Sequence, residues 1–232
     1  MASVSDNFDS YTNAAYLEDQ TNWDLSLNAG GLWISKPAAD GRVAVSNATR
    51  SCCYYVGTFA NDQWAQATFL GAAAADSSIG VAVRVSSNNY YCWESSNFSS
   101  YLSKITSGSG VDFATGAAWT ANDVVKLEIV GNELRCYRNG SLDTSVSTDG
   151  KYTDASSPFT SGNPGISKDG SNAALVDSWS SDTGASTYEG ILYVWSGSAW
   201  IPRPLDVQNG GMVARPVWYS DDGATWKLAQ SF

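Results

Sequence analysis

What this chain can do chemically is bounded first by what it lacks. Its 232 residues contain no histidine. A Ser-His-Asp triad, a Cys-His pair and a His-ligated zinc site are therefore excluded. The four cysteines are Cys52, Cys53, Cys92 and Cys136, and none forms a C-x-x-C spacing. A zinc ribbon or a thioredoxin-like redox motif needs that spacing. Cys92 and Cys136 sit inside apolar runs and read as reduced core residues. The adjacent Cys52-Cys53 leaves a strained vicinal disulfide as the alternative there. Carboxylates remain. Hydrolysis of a glycosidic bond needs two of them about 5–9 Å apart across a cleft. Glu94, among aromatic neighbours, and Glu128 form the pair worth weighing, while Glu128 and Glu133 flank a Gly131-Asn132 turn and fall on neighbouring strands. A solvated or salt-bridged role is the simpler reading of each.

Aromatic rings beside planar hydrogen-bonding groups offer a second chemistry, the stacking and hydrogen bonding of sugars. The segment from Asn88 to Tyr101 has that mixture. Strand alternation places Tyr90, Cys92 and Glu94 on one face and Tyr91 and Trp93 on the other. The pattern does not decide which face is buried. If Cys92 points inward, Tyr91 and Trp93 are displayed with Arg84 and Tyr101, and those four residues form the candidate carbohydrate site. The alternative is that Tyr91 and Trp93 are core aromatics. N-x-S/T triplets occur at Asn47, Asn97 and Asn139. In a chain so rich in Asn, Ser and Thr, chance accounts for them, and no glycosylation is assigned.

The elements that must carry these residues are strands. Apolar residues make up 43% and aromatics 12%, too many for a disordered acidic chain. Helical periodicity is nearly absent, with Asp9 to Gln20 the best helix candidate. Strand signals recur at Leu32–Ser35, Val43–Val45, Cys52–Val56, Gln63–Leu70, Ile79–Ser86, Tyr90–Ser95, Tyr101–Ile105, Val124–Val130, Glu133–Arg138, Ser141–Ser145 and Ala174–Ser178. In Val81-Ala82-Val83-Arg84-Val85 the valines share one face and Arg84 takes the other. Val125, Leu127 and Ile129 alternate with Lys126 and Glu128. Leu134 and Cys136 oppose Arg135 and Tyr137. Asn88-Asn89, Gly131-Asn132 and Asn139-Gly140 supply hairpin turns. One buried and one exposed face per strand predicts an all-β antiparallel sandwich of jelly-roll type.

The formal charge is −10, from 13 Lys+Arg and 23 Asp+Glu. Such a chain lacks the basic patch that nucleic acid requires. No run approaches about 20 apolar residues, so no membrane-inserted helix is expected. The start, Met1 to Phe8, has neither a basic nor an apolar region, so no secretory signal is expected.

Composition changes after Trp179. The sandwich is assigned residues 1–182, a small polar linker residues 183–190, and a short repeat module residues 191–232. In that module Gly197, Gly210 and Gly223 fall 13 apart, and Arg-Pro closes the first two copies. Trp195, Trp200, Trp218 and Trp226 cluster there. So small a unit buries little surface alone, so these tryptophans form its core or an attachment interface.

An ordered set of segments resembles the concanavalin A-like, laminin G-like jelly roll of phage virion and bacterial surface proteins. The set runs from Asp6-Asn7-Phe8 through Phe59 to Trp64, Gly80 to Val85, Asn89-Tyr90-Tyr91, Lys126 to Leu134, Tyr137 to Gly140 and Ser161 to Ile166, ending at Asp177-Ser178-Trp179. The tail resembles short Trp-containing units at the ends of phage structural proteins. The resemblance implies a structural calcium ion at the sandwich edge, held by Asp6, Asp9 and Asp177 on the first and last strands. The Glu-x-Asp-x-x-Glu run of the glucanase branch is absent. The function it implies is non-enzymatic. The protein is expected on the virion of a tailed phage, as a head decoration or a tail-fibre adhesin. Its partners would be other virion proteins, further copies of itself (a homotrimer) and host surface polysaccharide. A carbohydrate-binding module of a bacterial surface protein is the rival, and a glycosidase the third reading.

Overall fold

The computed structural model describes residues 3–27, 32–35, 42–45, 50–72, 77–170, 174–182, 191–195, 200–204, 218–219 and 227–228. Its first strands are β1 (Ser3–Asp6), β2 (Trp23–Leu27), β3 (Leu32–Ser35), β4 (Arg42–Val45) and β5 (Ser51–Tyr55). Then follow β6 (Gln63–Ala72), β7 (Ser78–Ser86), β8 (Asn89–Ser95), β9 (Ser99–Thr106) and β10 (Ser109–Ala117). The next are β11 (Asp123–Val130), β12 (Glu133–Arg138), β13 (Ser141–Leu142), β14 (Lys151–Thr153), β15 (Asn163–Asp169) and β16 (Ala174–Asp182). Four short strands close the chain: β17 (Ile191–Trp195), β18 (Trp200–Pro204), β19 (Trp218–Tyr219) and β20 (Lys227–Leu228).

Two compact units result, Ala2–Gly184 and Ala185–Phe232. In the first, a nine-stranded sheet runs β13-β12-β11-β6-β16-β4-β3, with β1 beside β16 and β14 beside β12. A seven-stranded sheet runs β10-β9-β8-β7-β15-β5-β2. This is the antiparallel sandwich that the alternation predicts. The second unit contains two hairpins, β17–β18 and β19–β20. In the first of these, Trp195 and Trp200 are register partners.

The nine-stranded sheet follows its sequence closely. Val125, Leu127 and Ile129 of β11 are buried in the core between the sheets. Leu134 and Cys136 of β12 join them, and Arg135 and Tyr137 face outward with Glu128. At Asn139-Gly140 both residues have positive φ, 52° and 81°, as a two-residue type I′ hairpin turn requires.

Three expectations need correction. The helix candidate at Asp9 to Gln20 is mostly turns, with one 3-10 turn at Leu17–Asp19. Strands β2, β10 and β15 lacked a readable signal. In β7, a bulge at Arg84, with φ 51°, shifts the register between Val83 and Ser86. It reverses the alternation, so Val81 and Val83 face the core between the sheets while Val85 packs with Ala82 on the other side. Cys52 and Cys53 likewise divide between the two sides. All four cysteines are buried and free, so the vicinal disulfide is not formed.

The core is anchored by aromatics. Trp93 meets Trp119 edge-on at 4.7 Å, and Trp119 meets Phe69 at 5.3 Å. A second group joins Trp179 to Trp23 at 4.8 Å and to Tyr55, stacked at 5.3 Å. Each such ring adds its buried apolar area to stability, about 2–3 kcal/mol for a Phe-sized side chain.

Candidate functional site

Strand β8 decides which sequence candidates survive. Both of its faces are buried, which the alternation alone does not anticipate. Tyr91 and Trp93 lie in the core between the sheets, each fully buried. Tyr91 donates its hydroxyl hydrogen to Asp154 (2.7 Å) and accepts from the Phe159 N–H (2.9 Å). Lys104 Nζ completes the group, at 2.7 Å from Asp154 and 4.8 Å over the Phe159 ring. The network holds the chain around 154–159 against the sheet. Arg84 is equally committed. Its Nε donates to the Asn61 carbonyl (2.7 Å), its Nη1 to the Phe159 carbonyl, and its Nη2 lies 3.5 Å from Asp62. These three members of the expected carbohydrate site are therefore structural. The reason for Arg84 is the bulge, which turns it into the loops instead of onto a surface.

Tyr101 is different. It lies opposite Glu94 in register, on the outer face of the seven-stranded sheet, and is half-buried. That face carries Tyr90, Cys92 and Glu94 from β8, Ser78 and Ala82 from β7, and Ser167 and Asp169 from β15. Cys52 and Tyr54 of β5, and Ser103 and Tyr101 of β9, extend it on either side. Arg50 enters just before β5 and pairs with Asp169. A Cβ on Gly110 of β10 would strike the Arg50 guanidinium, although four strands separate β5 from β10. On a flat sheet that separation would be about 24 Å at the usual strand spacing. The sheet therefore curls into a trough whose floor is buried, with Arg50 reaching across it.

The floor of this trough has unmet hydrogen-bonding capacity. Glu94 accepts from Ser78 Oγ at 2.7 Å through Oε2. The Tyr90 hydroxyl and Arg50 Nη1 are buried and without a hydrogen-bond partner among the described residues, and the Ser167 hydroxyl sits beside the Glu94 carboxylate. Burial raises the Glu94 carboxyl above its ordinary value, against the opposing pull of Arg50. Burial works against the Arg50 charge, but Glu94 and Asp169 outweigh it and hold the guanidinium protonated. Burial also pushes the Cys52 and Cys92 thiols well up, so they are inert here. The sides are satisfied. Half-buried Tyr54 donates to Asp24 at 2.8 Å, and buried Ser103 donates to Asp112 at 2.6 Å.

Glu94 and Glu128 do not meet. Glu128 lies on the outer face of the other sheet, with Arg135 at 3.4 Å and Tyr137 at 3.0 Å. Sheets stack about 10 Å apart, so two outward carboxylates on opposite sheets exceed any catalytic separation.

The expected calcium ligands do not fit that ion. Asp6 Oδ1 accepts from the Phe8 N–H (2.8 Å), and Oδ2 accepts from Trp23 Nε1 (2.8 Å) and the Tyr11 hydroxyl. Asp9 accepts from the Asn7 side chain, and Asp177 accepts from the Ser178 N–H. Among the described residues no three His, Cys, Asp or Glu side chains gather as a metal site. Of the expected attachment residues, Trp195, Trp200 and Trp218 fall on strands, and Trp226 lies outside the described residues.

Sequence reasoning missed Arg50, Tyr54, Tyr90, Ser167 and Asp169. The parity of Tyr90 with Glu94 was visible. Ser167 and Asp169 sit on β15, whose Asn-Pro-Gly start conceals a strand.

No family model matches the chain, and no curated protein matches it in sequence. Solved structures do. The carbohydrate binding module CBM66 from Bacillus subtilis aligns at TM-score 0.52 and 13% identity, over 68% of this chain and 94% of that one. A Bacillus subtilis protein of unknown function with a galectin-like fold aligns at 0.53 and 12%, over 78% and 94%. The Bacillus licheniformis beta-glucanase aligns at 0.51 and 10%, over 80% and 99%. At these identities the likeness is one of fold, and the fold is the concanavalin-like β-sandwich.

Proposed function

We propose that this chain is a non-catalytic carbohydrate-binding protein that engages glycan in the trough of its seven-stranded sheet. One observation carries the reading. The buried Tyr90 hydroxyl and Arg50 Nη1 lie there without partners among the described residues, beside Glu94 and Ser167 and beneath a rim that includes Tyr54, Tyr101 and Asp169. Unpartnered buried polar groups are costly, and a bound hydroxyl or a bridging water relieves that cost. A sugar offers neutral hydroxyls that both donate and accept, together with an apolar ring face for a tyrosine. The names of two similar folds, a carbohydrate binding module and a galectin-like protein, agree with this reading.

The proposed setting is the virion of a tailed phage, in the host cytoplasm during assembly and on the particle afterwards. Residues 191–232 would attach the sandwich to other virion proteins or to further copies of itself. The sequence resemblance supports that placement, as does the separate compact unit formed by Ala185–Phe232.

The experiment is a titration of the full chain against a polysaccharide panel, with released sugar assayed in the same wells. Saturable binding without release, lost at least tenfold in Arg50→Ala and Tyr101→Ala, is the expected result. Undiminished binding in both variants would overturn the site. One observation favours a second reading. Glu94 is a buried acid with a raised pKa, and it shares its face with Asp169. Sugar release that vanishes in Glu94→Gln would establish a glycosidase instead.

A further inference from the structure

A separate open cleft of about 700 Å³ lies where β1 meets β16. Its walls are hydroxyls and amides, chiefly Ser5, Ser10, Asn22, Ser178 and Ser180, with the half-buried Tyr11 ring on one side. One lip has strained backbone. Ser178 has φ 51°, and a register shift interrupts β16 between Asp177 and Ser180, while Phe8, buried in the core and bonded to Asp6, has φ 60°. Residues held in that region cost about 1–3 kcal/mol each, and such strain concentrates at ligand sites. Bulges serve the same end by re-aiming side chains.

The floor fixes the class of ligand. Asp6 is the one carboxylate among the described lining residues, and both oxygens already accept hydrogen bonds from Phe8, Tyr11 and Trp23. It is a fixed acceptor that holds the aromatic layer of Trp23 and Trp179 beneath the cleft. Among the described residues no cationic side chain lines the walls. An anion would meet a carboxylate there with no counter-charge, and a metal ion would find no open carboxylate oxygen. Neutral hydroxyls match the serine and asparagine walls.

We infer that this cleft is a second binding site, for a single neutral sugar residue or a polyol of that size. It does not rest on the trough. Two sites on one sandwich would let one domain grip a polysaccharide at two places and gain avidity without new contacts at either.

The test uses the full chain carrying Tyr101→Ala, which weakens the trough. Neutral mono- and disaccharides are titrated while the indole N–H signal of Trp23 is followed by NMR, assigned with Trp23→Phe. That N–H rests on Asp6 under the cleft, and the Ser10→Trp and Asn22→Ala variants distinguish a response at this site from one relayed through Asp24 and Tyr54. At least one sugar should move it saturably, with affinity in the millimolar range. Ser10→Trp, at an exposed lip, should weaken that response at least tenfold, and Asn22→Ala at least threefold. The inference is overturned if no sugar moves the Trp23 signal. It is equally overturned if Ser10→Trp responds as the parent does while its melting temperature is unchanged. A Trp23 response that persists when the trough proves inert would separate the two sites.

Discussion

Tyr90 and Tyr91 are neighbours on one strand, share one chemistry, and are both fully buried. Their hydroxyls meet opposite fates. Tyr91 is bonded to Asp154 and to the Phe159 N–H, with Lys104 closing the network. The Tyr90 hydroxyl has no hydrogen-bond partner among the described residues, and neither has Arg50 Nη1 on the same face. A satisfied buried network is a device for holding a structure together. An unsatisfied one is either a cost to folding or a place prepared for something else. The contrast is between the two tyrosines rather than the two faces, because the inner-face indole N–H groups of Trp93 and Trp119 are also without a hydrogen-bond partner among the described residues.

Variants can break or sharpen this contrast. The largest effect belongs to the inner face. Trp93→Ala removes a fully buried ring that packs on Trp119, and should cost about 3–5 kcal/mol in a denaturant titration.

Asp154→Asn comes next. The carboxylate sits 2.7 Å from Lys104 Nζ with its side chain only 4% exposed, and losing its charge should cost about 2–3 kcal/mol at neutral pH. Burial alone would raise the Asp154 carboxyl, but hydrogen bonds from Lys104 and Tyr91 reverse that and hold it below its ordinary value. Folding stability from a depressed carboxyl is complete above the unfolded value of about 3.9 and fades as pH falls through the folded one. The gap in melting temperature between the parent and Asp154→Asn should therefore close below about pH 4. A gap that persists at pH 2 would mean that the pair is not what Asp154 contributes.

The smallest stability effects set the two tyrosines against each other. Tyr91→Phe strands Asp154 and the Phe159 N–H, and should lose about 1–2 kcal/mol. Tyr90→Phe removes an unpartnered hydroxyl, and should be neutral or stabilising by up to about 1 kcal/mol.

The sequence carried the architecture further than the site. β11 and β12 were legible because Val125, Leu127, Ile129, Leu134 and Cys136 alternate with charged residues, so one face is buried and one is wet. β10 was not, because as an edge strand of Ser, Gly and Asp with most residues exposed it has no apolar period. β15 hid behind Pro164, Gly165 and a fully buried Lys168. For the site, the parity of β8 is legible and the buried face is not, and the alternative that Tyr91 and Trp93 are core aromatics is the one the structure has. Alternation tells which residues share a face, and only tertiary packing tells that both faces are covered. Arg84 failed for a local reason, since no sequence period announces a bulge. Of Arg84, Tyr91, Trp93 and Tyr101, Tyr101 alone lies on the outer face, and the proposed site joins it to Arg50, Tyr54 and Asp169.

The most direct test is the affinity of Tyr90→Phe, beside Tyr91→Phe, for the polysaccharide that the parent binds best. If the outer trough holds the glycan, Tyr90→Phe should keep its stability and lose at least fivefold in affinity. Tyr91→Phe should lose stability and bind as the parent does. Full affinity in Tyr90→Phe, with loss in Tyr91→Phe at a temperature where both are folded, would contradict the division on which the account rests.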